Sequence, residues 1–281
     1  MKVLVPLDGS SLSDGILAHV ERVLLREQAQ VHLLRVLPTD AEEPDLKAAD
    51  RHLTSARETL EAHGEQPTSA LERGDPAETI ARVASEGDYD LIAMATHGRS
   101  GIARMIRGSV AERVLRHAEV PVYLATHKSL PRSTNSVNFQ RVLIPLDGSK
   151  LAASILPLVL PIVQDSEAEV VLLHIDSPSK DSTHPVPEVA ARKAQKRAES
   201  SLKDVHDKLE AAGVKTHVLG AYGDPAEQIL DAVERQSADL LAMCSHGRTG
   251  LSRWRFGSVA EKVLREARCP LLVKTAPAKK S

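Results

Sequence analysis

The chain has 281 residues, of which 42% are hydrophobic, 26% charged and 2% aromatic, and its formal net charge is −2. A nearly neutral chain with so few aromatic rings gives no basis for binding nucleic acid, and its charge gives none for binding an anionic membrane. No apolar run approaches the length of a membrane-spanning helix, and no segment resembles a signal peptide. The composition therefore predicts a soluble globular protein whose partners are neither nucleic acid nor membrane.

The first half of the chain alternates β-branched runs with amphipathic stretches. Its predicted elements, in chain order, are strand one at 3–7, a helix at 12–27, strand two at 31–36, a helix at 45–63, strand three at 68–72, a helix after Asp75, strand four at 89–94, a helix from Ser109, and strand five at 120–124. Near-continuous apolar strands joined by helices indicate an α/β fold, with a parallel sheet covered on both faces.

The second half repeats the first. The repeated segments are Leu4–Ser10 with Leu143–Ser149, Gly74–Glu78 with Gly223–Glu227, and Thr96–Gly101 with Ser245–Gly250. The offset between the copies rises from 139 (Asp8 to Asp147) to 149 (Asp75 to Asp224), so the second copy carries ten extra residues. They fall around 177–187, where Pro and Ser predict a loop. We expect two domains, 1–127 and 140–276, joined by a linker at 128–139.

A ligand site is predicted at one edge of each sheet. In open α/β sheets, ligands bind beyond the carboxyl ends of the strands where the strand order reverses. With the doubly wound order 3-2-1-4-5, strands one and four are neighbours, so Asp8 faces the turn at 95–98, and Asp147 faces the turn at 244–247. A glycine turn followed by a Gly-Ser helix start presents backbone N–H groups to an anion, which predicts a nucleotide site in each copy.

These motifs resemble the universal stress protein family, here as a tandem pair that covers nearly the whole chain. The nucleotide-binding branch of that family has the pattern Gly, two residues, Gly, nine residues, Gly, then Ser or Thr. The second and third glycines of the pattern are kept in both copies, as Gly98, Gly108, Gly247 and Gly257. Ala95 and Cys244 stand in place of the first glycine.

The resemblance implies two Rossmann-like, adenine nucleotide α-hydrolase-like domains that bind ATP, with or without Mg²⁺. Carried over to this sequence, the nucleotide-binding positions are Pro6, Asp8, Val36, Met94, Ala95, Gly98, Gly108, Ser109 and Val110 in the first copy, and Pro145, Asp147, Ile175, Met243, Cys244, Gly247, Gly257, Ser258 and Val259 in the second. Asp8 and Asp147 are also the candidates for contact with a nucleotide-bound Mg²⁺. The resemblance further implies that the two copies form an intramolecular pseudo-dimer through strand five, and it admits a homodimer and an unidentified protein partner.

Several of these residues have a second interpretation. Ser109 with Glu112, and Ser258 with Glu261, fit the Ser-x-x-Glu capping box, with phosphate contact as an additional role. Asp8 fits two roles equally well: ordering the Asp-Gly-Ser turn, or contacting ribose or metal. Arginines concentrate in both nine-residue loops, which contain no acidic residue, and this favours phosphate attraction.

No catalytic residue is predicted, because His97 and His246 are expected to pack and hydrogen-bond within their turns. Cys244 and Cys269 are predicted at opposite ends of neighbouring strands, too far apart for a disulfide, so we expect free thiols and a cytoplasmic protein.

Three functional classes remain open. The favoured one is an ATP-binding module for stress response or signalling, whose occupancy biases conformation or choice of partner. The second is a stress-related interaction protein without nucleotide, in which Ala95 and Cys244 have closed the sites. The third is a slow ATP hydrolase, which is disfavoured because no Gly-x-x-x-x-Gly-Lys-Ser/Thr loop is present.

Overall fold

The computed structural model describes residues 1–21, 29–62, 64–96, 110–126, 139–164, 166–178, 187–245 and 257–275. The chain divides into two compact units, Met1–Asn138 and Phe139–Ala276. Within the ranges just given, no helix is long and apolar enough to cross a lipid bilayer.

The first unit is a doubly wound α/β sheet. Its elements are β1 (Lys2–Leu7), α1 (Ser11–His19), β2 (Gln30–Leu37), α2 (Glu43–Glu61), β3 (Thr68–Arg73), α3 (Pro76–Glu86), β4 (Leu91–Thr96), α4 (Val110–His117) and β5 (Val122–Thr126). The strands are parallel and lie in the order β3-β2-β1-β4-β5, which confirms the predicted order.

The second unit repeats this arrangement. Its elements are β6 (Arg141–Pro145), α5 (Lys150–Ala153), α6 (Leu156–Val163), β7 (Glu169–Asp176), α7 (Pro187–Ala211), β8 (Thr216–Tyr222), α8 (Pro225–Arg235), β9 (Leu240–Cys244), α9 (Ser258–Glu266) and β10 (Leu271–Lys274). The strand order is β8-β7-β6-β9-β10, again parallel, and the register is the same as in the first unit: Leu4 pairs with Ile92 as Leu143 pairs with Leu241.

The helices cover opposite faces of each sheet. Right-handed crossovers place a helix on one face when the chain moves outward from β1 to β3, and on the other face when it returns to β4 and β5. In the first unit α1 accordingly contacts α2, and α3 contacts α4, while in the second unit α8 contacts α9. The central strands are therefore buried on both sides, and Val3, Leu4 and Val5 are fully inaccessible to solvent.

The helix after the third strand of each unit, α3 or α8, begins at an aspartate that is followed by a proline. Asp75 is the N-cap of α3, and its carboxylate accepts a hydrogen bond of 3.1 Å from the N–H of Glu78, with Pro76 as the first helical residue. Asp224 does the same for α8, accepting from the N–H of Glu227 at 3.0 Å. These caps satisfy N–H groups that the helix itself leaves unbonded.

The first helix differs between the units. In the first unit it runs unbroken from Ser11 to His19, whereas in the second it is interrupted between α5 and α6. The interruption falls at Ser154 and Ile155, just before Pro157, which has no N–H to donate to the carbonyl of Ala153. Carbonyl groups at the end of α5 are consequently left for partners from other elements.

Candidate functional site

The turn after the first strand is held in both units by a hydrogen bond from a serine N–H to the aspartate carboxylate. Asp8 Oδ1 accepts from the N–H of Ser10 at 3.0 Å and from its hydroxyl at 2.7 Å. Asp147 Oδ1 accepts from the N–H of Ser149 at 2.9 Å. The glycine between the aspartate and the serine, Gly9 or Gly148, has a positive φ in each turn (+77° at Gly9), a conformation that favours glycine. The turn-ordering role predicted for Asp8 is therefore present, and its carboxylate lies exposed at the carboxyl end of β1.

Ser10 and Ser149 then begin the first helices. The hydroxyl of Ser10 accepts from the N–H of Ser13 at 3.2 Å, and that of Ser149 from the N–H of Ala152 at 3.1 Å. A single Asp-Gly-Ser segment thus fixes the carboxylate, reverses the chain and caps a helix.

A polar side chain from the second strand supports each turn. Arg35 Nη1 donates to the carbonyl oxygen of Leu7 at 3.3 Å, and His174 Nδ1 donates to that of Leu146 at 2.9 Å. A Cβ at Gly9 would lie 3.1 Å from Arg35 Nη1, so the guanidinium packs directly against the turn. Neither residue is among the predicted positions, although Arg35 and His174 each follow two leucines as a polar residue inside the strand.

The predicted positions that the structure describes gather at the carboxyl edge of each sheet. Pro6 pairs with Leu34 in the parallel register, which brings Val36 level with Asp8, while Met94 and Ala95 lie near the end of the neighbouring strand β4. In the second unit the corresponding residues are Pro145, Asp147, Ile175, Met243 and Cys244.

The segment that begins at the third motif glycine is described in full in the second unit, and in the first unit only from Val110. Val110 is the first residue of α4, and in the second unit Gly257, Ser258 and Val259 begin α9. The remaining predicted positions lie outside the described residues: Gly98, Gly108, Ser109 and Gly247, together with His97, His246 and the arginines of the two loops.

The start of α9 corrects one prediction. Gly257 is the N-cap: its carbonyl accepts from the N–H of Glu261 at 3.0 Å, and its own N–H donates to the carbonyl of Ser245 at 3.1 Å. Ser258 is therefore the first helical residue, and the capping box predicted from Ser258 and Glu261 is wrong. The N–H groups of the first turn point out of the positive end of the helix, and a glycine N-cap has no side chain to accept from them.

Cys244, at the position of the first motif glycine, turns its side chain toward the first helix. Its thiol donates to the carbonyl oxygen of Leu151 at 3.0 Å and lies 3.6 Å from the hydroxyl of Ser154, where the helix is interrupted. This is the face that carries α5, and right-handed crossovers put α9 on the opposite face. Burial raises the pKa of the Cys244 thiol, and both cysteines are free, as predicted.

The helix after the fourth strand is tied to the helix before it in each unit. Arg113 of α4 donates to Asp75 at 2.7 Å and lies 3.5 Å from Glu78. Lys262 of α9 lies 3.1 Å from Glu227. Hydrogen bonding from Arg113 lowers the pKa of Asp75. Both ion pairs lie at the carboxyl edge, because α3 and α4, like α8 and α9, begin there.

A cavity of about 550 Å³ opens beside the turn of the first unit. Among the residues lining it are Gly9, Arg35, Leu37, Pro38, Asp45 and His52. His52 Nε2 is 2.9 Å from Asp14 Oδ1, which joins α2 to α1 at one side of the cavity. Two of the lining residues, Leu37 and Pro38, come directly after Val36 in the sequence, and Val36 is one of the predicted nucleotide-binding positions.

Each unit is a doubly wound parallel sheet in which an Asp-Gly-Ser turn lies beside the end of the fourth strand, where Ala95 or Cys244 replaces the first motif glycine. The chain is therefore a tandem α/β protein with one candidate site at the carboxyl edge of each sheet. The sequence profile of the universal stress protein family matches residues 1–125 and again residues 138–274. The chain belongs to the universal stress protein family, with two copies of the family domain in tandem.

Individual relatives agree with this assignment. A universal stress protein of Methanocaldococcus jannaschii is 33% identical over 144 residues, which are 50% of this chain and 85% of that protein. One of Mycobacterium tuberculosis strain H37Rv is 27% identical over 209 residues, covering 73% of this chain and 68% of that protein. The crystal structure of a universal stress protein from Archaeoglobus fulgidus aligns over 99% of this chain and 97% of its own, with a TM-score of 0.75 and 25% identity.

Proposed function

We propose that each copy binds an adenine nucleotide, ATP with or without Mg²⁺, at the carboxyl edge of its sheet. The observation that carries the proposal is the start of α9. Its N-cap is Gly257, so no N-cap side chain accepts hydrogen bonds from the N–H groups of the first turn. The N–H groups of Ser258, Val259 and Ala260 precede the first intrahelical hydrogen bond, and such a helix end favours a phosphate. Gly108 and Ser109 would have the corresponding role in the first copy.

The opposite end of the nucleotide would lie across the first and second strands. Asp8 and Asp147 are held by their turns at the ends of β1 and β6, within reach of a ribose hydroxyl or a nucleotide-bound Mg²⁺. Backbone groups of Val36 and Ile175, at the ends of β2 and β7, would face the base. The cavity beside Gly9 supports this placement in the first copy, because it gives room next to the end of β2.

The substituted first glycines are compatible with this proposal. The thiol of Cys244 is directed to the carbonyl of Leu151, on the face that carries α5, so its bulk is taken up by the interrupted helix. Ala95 is buried and adds only a methyl group. The second functional class, an interaction protein without nucleotide, requires these side chains to fill the site, and the direction of Cys244 argues against that in the second copy.

We further propose that the protein acts in the cytoplasm as a binding module, in which nucleotide occupancy changes the conformation or the choice of a protein partner. The two doubly wound domains, at about 1–127 and 140–276, would each hold one nucleotide. A slow ATP hydrolase stays the third candidate. Pairing of the two copies through their fifth strands, and a homodimer, stay predictions from the family resemblance.

Calorimetric titration of nucleotide-stripped protein with ATP and Mg²⁺ tests the proposal. Two equivalents should bind to the wild type, and one to Gly257→Glu or Gly108→Glu, because a carboxylate at a helix N-terminus would repel the phosphates there. Val189→Glu is a matched control, since it adds the same charge on α7 at a side chain that is 63% exposed. An absence of binding by folded wild type would establish the nucleotide-free class instead.

A further inference from the structure

In each unit one edge of the sheet is the third strand, β3 or β8, and these two strands direct equivalent backbone groups away from their sheets. The N–H of Gly74 donates to the carbonyl of Leu37, and that of Gly223 to the carbonyl of Asp176, so each donates toward the neighbouring strand. Because successive residues of a strand alternate in direction, the residues three and five positions earlier face away from the sheet. In β3 two of the outward residues are Ser69 and Leu71, and in β8 they are Val218 and Gly220.

The edge of β8 is closed by a side chain of the same unit. Gln195 of α7 accepts from the N–H of Gly220 at 2.7 Å and donates to the carbonyl of Val218 at 3.1 Å. Its amide therefore satisfies two of the backbone groups that an added strand would use. The close approach requires glycine, since a Cβ at Gly220 would lie 2.5 Å from the backbone of Ala194.

The edge of β3 lacks this closure. At the larger offset of 149 between the copies, Leu46 stands where the second copy has Gln195, and Leu71 where it has Gly220. A leucine at position 46 has no group that can bond to the outward N–H of Leu71 or to the carbonyl of Ser69. Leu71 is also one of the exposed large apolar side chains in the described part of the chain, at 36% exposure. An edge of this kind is a template for another strand.

We propose that this edge pairs with the same edge of a second copy of the chain, as an antiparallel β3–β3 interface with Leu71 on the two-fold axis. Outward residues must face outward residues, which sets Leu71 against Leu71 and Ser69 against Arg73, with Ala70 opposite Glu72 between them. This register places no like charges directly opposite each other, and it covers the exposed Leu71 with its symmetry mate. The proposal is independent of nucleotide binding.

A second copy fits this edge better than a strongly charged strand does. The strand carries one acid and one base, Glu72 and Arg73, so its charge attracts neither an acidic nor a basic partner. Both charges already have partners within the unit: Glu72 lies 3.1 Å from Arg82, and Arg73 donates to the carbonyl of Thr39 at 3.1 Å. The groups of this edge that are left for a partner are its outward backbone N–H and C=O groups and the apolar side chain of Leu71. The same edge of a second chain can pair with both.

Sedimentation equilibrium on the full chain tests the proposal with a charge exchange at Leu71. The wild type should show a concentration-dependent association, weakened by about tenfold or more in Leu71→Lys and in Leu71→Glu, because each places like charges opposite each other on the axis. An equimolar mixture of these two variants should associate again. A wild type that stays at its monomer mass, as expected if the edge served a strand from another protein, overturns the proposal, as do two variants that associate like the wild type.

Two further variants separate backbone pairing from side-chain contact. Leu71→Pro removes the outward N–H and leaves the ladder with β2 intact, so association should be lost while the thermal unfolding temperature stays close to that of the wild type. Gln195→Leu opens the edge of β8 and should add an association step. Unchanged association of both folded variants would show that these edges do not pair.

Discussion

Arg113 on α4 and Asp75 at the N-cap of α3 are joined by a hydrogen-bonded ion pair of 2.7 Å, which links the helix after the proposed phosphate loop to the helix before it. Lys262 makes the corresponding link in the second unit with Glu227. The beginning of α4 is therefore held by α3, and that of α9 by α8. Both α3 and α8 have their own N-caps at the same edge of the sheet.

Arg113→Ala should weaken nucleotide binding in the first copy more than it weakens the fold. The ion pair is exposed to solvent, so its loss should lower the free energy of unfolding in urea only slightly. The loss would also free the start of α4, where the phosphate is proposed to bind, and calorimetry should show a weaker first site. Arg116→Ala is the control, because Arg116 pairs with Glu112 within α4 and does not reach α3. Equal binding losses in both variants would contradict a specific role for Arg113.

Cys244→Gly, which restores the first glycine of the family motif, should leave ATP affinity nearly unchanged. The thiol contacts the interrupted helix, so its removal should mainly cost stability, by about 1–2 kcal/mol for a lost buried side chain and an added glycine. Urea unfolding and calorimetry together check this. A large gain in affinity would mean that Cys244 obstructs the site.

Neither thiol should react readily in the folded protein. Burial raises the pKa of Cys269 to about 12 and also raises that of Cys244, so the thiolate form that attacks disulfide reagents is scarce at pH 8. Titration with a chromogenic disulfide should report two thiols in denaturant and slow, substoichiometric reaction without it. Rapid reaction of one thiol in the folded protein would place that cysteine in a more open environment than the one described.

Gly220→Ala should destabilise the second unit by about 1–3 kcal/mol, because the new methyl group meets the backbone of Ala194. The same change should displace Gln195 from the edge of β8. Leu71→Ala, at the equivalent position of β3, is the matched control and should cost less, since Leu71 is already exposed. Urea midpoints of the two variants give the comparison, and equal losses would show that the close packing of α7 on β8 is unimportant.

Acid should weaken the second unit partly through Glu169. Burial of this carboxyl raises its pKa, but hydrogen bonding from Arg141 and the charges of His217 and Lys215 outweigh burial, so the folded pKa is lowered from 4.5. A lowered folded pKa contributes stability that is present above the unfolded pKa and is lost as the pH falls through the folded value. Glu169→Gln should therefore flatten the dependence of the urea midpoint on pH below about 4.5. Glu167→Gln, at an exposed neighbour, should leave the acid dependence unchanged.

The strand order and the edge of the site were predictable because they depend on periodicity and on the duplication. Strands four and five were each placed two residues early, at 89–94 and 120–124. Asp90 explains the first shift: its carboxylate accepts from the N–H of Lys2, so it precedes the strand β4, which begins at Leu91. Local apolar patterns cannot reveal a residue whose role depends on a distant strand.

The remaining differences have the same cause. Arg35 and His174 were missed because the carbonyls that they support lie 28 residues away in the chain. The capping box at Ser258 was a valid local pattern, but the carbonyl of Gly257 accepts the first helical bond and moves the cap one residue earlier. The interruption of the first helix before Pro157 has a different cause, which was not predicted although a proline in an apolar helical stretch is visible in the sequence.

The amide of Gln195 sets a limit on assembly. Gln195 occupies two outward backbone groups of β8, whereas the corresponding groups of β3 are left for the proposed pairing. Pairing of two β3 strands about a two-fold axis uses both of these edges, so neither β3 nor β8 would then add a third chain. At these two edges, one glutamine would thus separate a closed pair from an open-ended fibre.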